Sequence, residues 1–102
     1  MEVIAIHNDI KKRIEALSEM AKAQVLRLIE LLELREYRLA MPYSKKIEKD
    51  LYELRVIGKQ NIRIFYTFYE NRAVLLHLVF KKTQKLRKKD LETARRRLMR
   101  LR

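Results

Sequence analysis

The chain has 102 residues, 48% apolar and 37% charged, with a net charge of +12, one glycine and one proline. It is long enough for one core and too short for two ordinary ones, so residues 1–102 are expected to form a single domain of mostly regular structure. The lack of cysteine excludes disulfides and thiolate chemistry, two histidines are too few to suggest a metal centre or cofactor, and no apolar run approaches the roughly 18 residues of a membrane span.

At the N-terminus, MEVIAIHNDIKKR lacks the charge-then-apolar order of a signal peptide, and a cytoplasmic protein is expected. EVIAI, residues 2–6, reads as a short strand, after which Asn8 or Asp9 can cap a helix and His7 marks its start. Ile10, Ile14 and Leu17 mark the buried face of that helix; Ala21, Val25, Leu28, Ile29 and Leu32 continue the helical period to about Tyr37. A hairpin of two helices is expected rather than one long helix, with Ser18 capping the second, because a single rod would overhang so small a core.

Beyond the loop around Pro42 the period changes to two. LYELRV alternates Tyr52, Leu54 and Val56 against Glu53, Arg55 and Ile57; after turn chemistry at 58–61, IRIFYTFY alternates in the same way. A turn at 70–72 leads into AVLLHLVF, apolar on both faces and therefore expected to be central. Leu91, Ala94, Leu98 and Leu101 then form an apolar stripe on an otherwise basic terminal helix from about Lys88.

Charge is concentrated at that end. Residues 81–102 carry eleven Lys or Arg against Asp90 and Glu92, which points to a polyanionic partner, with nucleic acid ahead of an anionic membrane surface and a plain solvated basic face as the bland alternative. Helices placed before the strands can cover one face of a small antiparallel sheet and leave the other partly open. On that open face Arg55 and Arg63 are expected side by side on neighbouring strands, with Lys81 and Lys82 arriving at the end of the next. Four cations on one surface repel one another unless an anion sits among them.

LYELRV followed by the IRIFY strand, then LLHLVFKKTQK and a helix containing ETA, resembles the phage-Gp49-like branch of the HigB/RelE toxin superfamily. The resemblance covers nearly the whole chain, from the helical hairpin and SKKI to the last helix. It implies a RelE/ParE-like α+β fold: a small twisted antiparallel sheet covered on one face by an N-terminal helical hairpin, with a C-terminal basic helix. It also implies the toxin of a type II toxin-antitoxin pair and a metal-independent endoribonuclease that cuts messenger RNA on the ribosome. The implied partners are mRNA, the ribosome and a cognate helix-turn-helix antitoxin protein, with operator DNA reached only through that antitoxin.

Such cleavage uses the RNA's own 2′-hydroxyl against the adjacent phosphate, and Arg suits the charged transition state because its planar fork bonds two phosphate oxygens. By resemblance the catalytic positions are Arg55, Arg63, Lys81 and Lys82, with Arg63 and Lys82 foremost. RNA-binding positions are Lys45, Lys46, Lys85, Arg87 and Lys88. For Arg63 the structural alternative is an ion pair with Glu53 or Glu70; for Lys82 it is a solvated strand end, and for Lys45 and Lys46 a solvated loop. His77 reads as a core histidine, and Tyr66 and Tyr69 as sheet-filling residues that could stack on a base.

The sequence departs from the family at Leu86 and Arg87, where many members have Thr-Pro. Asp90 reads as a helix cap, and the general acid and base stay unassigned. The rival functions are a gyrase-poisoning toxin of the same fold and a non-catalytic RNA- or ribosome-binding module.

Overall fold

The computed structural model describes residues 1–56, 61–80 and 87–102. In chain order these form β1 (Val3–Ala5), α1 (Asn8–Glu15), α2 (Glu19–Arg35), a 3-10 turn (Glu36–Arg38), β2 (Ser44–Glu48), β3 (Leu51–Arg55), β4 (Ile62–Tyr69), β5 (Arg72–Phe80) and α3 (Lys88–Met99). The sheet order is β1-β5-β4-β3-β2.

The expected helical hairpin is present. Ser18 Oγ accepts from the Ala21 N–H and starts α2, as its sequence position suggested. The first helix is capped one residue earlier than expected: His7, not Asn8 or Asp9, is the N-cap, and its Nδ1 accepts from the Asp9 N–H.

Two features of the sheet were not read from the sequence. SKKIE, expected as loop, forms β2 against β3, with a bulge between Lys46 and Glu48. Its burial does not alternate, and adjacent lysines on an edge strand are a usual defence against further pairing, so the period-two signal is lost. The sheet is also mixed: β2 to β5 are antiparallel as expected, but β1 joins β5 in parallel. The β4–β5 turn lies where expected, and both Glu70 and Asn71 have positive φ, as a two-residue hairpin matched to strand twist requires.

Each sheet face has its own core. On one, Ile10, Val25, Leu28 and Leu32 of α1 and α2 pack over Leu54, Ile62, Ile64, Tyr66, Leu75 and Leu78. On the other, Leu91, Ala94 and Leu98 of α3 pack over Leu51, Phe65, Val74 and Leu76. The face expected to be partly open is thus covered over part of its area by the basic helix. β5 is central between β1 and β4, and beyond the short β1 two of its carbonyls are satisfied by guanidiniums: Leu76 O accepts from Arg97 and Leu78 O from Arg13. Among the described residues no helix is long and apolar enough to cross a membrane.

Candidate functional site

Alternation along β3 and β4 decides which charged side chains share a face. Leu54 and Ile64 point to the α1–α2 core, so Glu53 and Arg55 on β3 and Arg63 on β4 point to the α3 side. Arg55 and Arg63 are register partners, side by side as the sequence suggested. Like charges directly opposite are destabilising.

The anion that relieves them is Glu53. Its Oε1 lies 3.8 Å from Arg55 Nε and 3.7 Å from Arg63 Nε, so a single carboxylate serves two guanidiniums. Glu53 is 3% exposed and Arg63 8%, yet Glu53 Oε2 and Arg63 Nε find no hydrogen-bond partner among the described residues. Separations near 3.7 Å give Coulomb attraction without a hydrogen bond. Arg63 Nη1 donates instead to Ile62 O at 3.1 Å. Burial pushes the Arg63 pKa down, Glu53 pulls it back up and Arg55 adds to the fall; an arginine starts high enough to stay a cation. The structural alternative for Arg63 is therefore realised with Glu53, while Glu70 is engaged by Arg72 at 3.6 Å.

Arg55 is the more available of the two, its side chain 30% exposed and its Nη1 resting against Met41 Sδ at 3.4 Å. Lys45 stands opposite Glu53 in the register and so joins this face, whereas Lys46 pairs with Tyr52 and belongs to the other. The two lysines, grouped in the sequence reading, are separated by the pleat. Lys81, Lys82 and Lys85 lie outside the described residues. Arg87 and Lys88 are exposed at the start of α3, which borders the same face because Asp90 meets His77.

His77 continues the register row Lys45–Glu53–Phe65–His77, its ring stacked on Phe65 at 6.4 Å between centroids. Its Nε2 is 3.1 Å from Asp90 Oδ1. A carboxylate only accepts, so Nε2 carries the proton; Nδ1 has no partner among the described residues. Burial holds the His77 pKa below the usual histidine range, Asp90 opposing and Arg13 and Arg97 assisting. Asp90, expected as a helix cap, is instead this ring's acceptor; Arg87 is the N-cap and makes no side-chain capping bond. Tyr66 is 1% exposed in the α1–α2 core and bonded to Ser44 Oγ at 2.6 Å, which removes it as a base-stacking candidate.

A family profile described as "Phage derived protein Gp49-like" matches residues 12–99. The chain belongs to this family. Gp49-like proteins form a toxin-like family, and the match runs from α1 to the last residue of α3, taking in Glu53, Arg55, Arg63, His77 and Asp90. No curated protein matches the chain. Sequence reasoning named Glu53 only as a possible partner of Arg63 and missed that the same carboxylate also serves Arg55. The signal was present, since residues 53 and 55 share a strand face by alternation and the paired arginines called for an anion.

Proposed function

We propose that this Gp49-like chain is the toxin of a type II toxin-antitoxin pair and acts as a ribosome-dependent endoribonuclease on mRNA. The observation that carries the reading is the Arg55–Arg63 register pair sharing one buried carboxylate. Two cations against one anion leave a net positive site that a phosphate can complete, and half-exposed Arg55 is placed to meet it. Arg63, almost wholly buried, acts from beneath by raising the local potential and holding Glu53 in place. In this mechanism the 2′-oxygen gives up its proton and bonds to phosphorus, the P–O5′ bond breaks and the 5′-oxygen takes up a proton, and the guanidiniums stabilise the charge accumulating on the phosphate oxygens. Lys82 is proposed as the second contributor, and an antitoxin with a helix-turn-helix domain as the neutralising partner.

Inducing wild type, Arg55→Ala and Lys82→Ala at equal protein levels in bacteria, then mapping new RNA 5′ ends against ribosome position, tests the reading. The expected result is 5′-hydroxyl cuts confined to translated messages and reduced at least tenfold in each variant. Growth arrest with intact messages would favour a gyrase poison, and ribosome association without cuts a binding module; either overturns the nuclease.

A further inference from the structure

A groove of about 360 Å³ runs between α2 and the end of β3, on the opposite side of the sheet from α3. Its α2 wall is a single helical stripe of Gln24, Arg27, Leu28, Leu31 and Arg35; its sheet wall is Tyr43, Arg55 and Val56. Leucine and valine make the floor, and the guanidiniums of Arg27 and Arg35 make the rim; Arg55 borders the groove from β3 with its Nε near Glu53. Among the described residues neither Arg27 nor Arg35 is in ion-pair contact with a carboxylate. Arg35 instead lies over the Tyr43 ring, 5.9 Å from its centroid. The rim therefore carries more positive charge than its surroundings neutralise.

We propose that this groove docks an acidic, amphipathic segment of a partner protein. Charge complementarity selects the acid, and the apolar floor selects a protein over a nucleic acid. A sugar-phosphate chain has no side chain to bury on leucine, and desolvating its phosphates there is unfavourable. The one aromatic ring in the lining, Tyr43, already has the Arg35 guanidinium over one face, which leaves less room for a stacked nucleobase. A segment presenting leucine-like side chains downward and carboxylates outward meets both requirements. Arg27 and Arg35 are eight positions apart on α2, about 12 Å along its axis, so a helical partner lying along the groove presents two carboxylates at the same spacing.

Because Arg55 also borders the groove, an occupant lies next to the residue proposed to meet the phosphate. This consequence rests on the proposed nuclease; the docking itself does not. The test uses the full chain and a fluorescent helical peptide with two glutamates eight positions apart beside a leucine stripe. Anisotropy titrations compare wild type, Arg27→Glu with Arg35→Glu, and Arg96→Glu on α3 as a remote control. Circular dichroism checks that each variant is folded.

Saturable binding is expected to weaken about tenfold in the α2 double variant and not in the Arg96 control. A lysine-bearing version of the peptide should bind the double variant better than wild type. Peptide binding indifferent to the α2 reversal, or no saturable binding, overturns the proposal; so does an α2 reversal that weakens a single-stranded RNA oligomer and leaves the peptide unaffected. Cleavage is expected to persist in the α2 double variant. A wild type that docks the peptide but cuts no RNA would remove the nuclease reading alone, and cutting without docking would remove only the groove.

Discussion

On α3, Arg95 reaches Glu48 with Nε–Oε1 at 2.6 Å and Nη2–Oε2 at 3.2 Å and Arg97 holds Asp9 at 2.8 Å, and just beyond the helix Arg102 contacts Asp50. On the sheet face, Arg55 and Arg63 share Glu53 without a hydrogen bond to it. The charge-rich helix is thus partly neutralised from within, although in sequence it was the obvious polyanion-binding element. The sparser pair on the sheet keeps an excess of donors. Position relative to carboxylates, more than density of arginine along the chain, decides where an external anion is best received.

If the shared carboxylate is what keeps the sheet pair folded, removing it should have the largest effect. Glu53→Ala leaves two guanidiniums in register, one of them buried, with no anion between them. Breaking a buried pair by deleting one partner costs about 3–5 kcal/mol. Urea unfolding should show a loss of that order, with Glu53→Gln in between. An unfolding curve like the wild type's would mean that the arginines turn outward freely and that the contrast with α3 is false.

The next effect sharpens the boundary between the two regions, where α3 begins. Asp90→Ala removes the acceptor of a buried ring, and an unsatisfied buried polar group costs about 1–3 kcal/mol. His77 also predicts a pH dependence. Its folded pKa is depressed, so the unfolded chain takes up the proton first as pH falls. Stability is full above the unfolded histidine value of about 6.5 and declines below it, down toward the folded pKa. Urea midpoints measured from pH 8 to 5 should fall in wild type and fall less in His77→Phe, and identical slopes would assign the dependence to another group.

Much of this arrangement is legible in the sequence. The helical hairpin followed from Ser18 and the overhang argument, and the Arg55–Arg63 adjacency from alternation, because local chemistry and period determine both. β2 was hidden because an edge strand with two exposed lysines carries no alternation. The partners of Arg95, Arg97 and Arg102 were hidden for another reason. Asp9 is 88 residues from Arg97 and Glu48 is 47 from Arg95, and no periodicity connects positions that meet only through tertiary packing. Asp90 was read as a cap because it stands in the first turn of a helix; only the placement of β5 shows the ring it serves.

The smallest effects separate two arginines of α3 that look alike in RRR, residues 95–97. Arg97 is 12% exposed in its side chain, holds Asp9 and donates to Leu76 O at 2.8 Å, so Arg97→Ala also leaves a carbonyl of β5 without its partner. Loss of such charge-assisted bonds should lower stability by about 1–2 kcal/mol. The Arg97 bond holds the Asp9 pKa down, so Asp9 contributes stability above the ordinary aspartate value and loses it as pH falls through its lowered one. Arg95 makes the shorter contact but stands in solvent, where water and salt screen the pair and ordering two long side chains offsets the attraction. Arg95→Ala should leave the urea midpoint unchanged at physiological salt, despite its 2.6 Å bond. A midpoint that falls as far for Arg95→Ala as for Arg97→Ala would show that α3 is fastened at the β2–β3 turn as firmly as along β5.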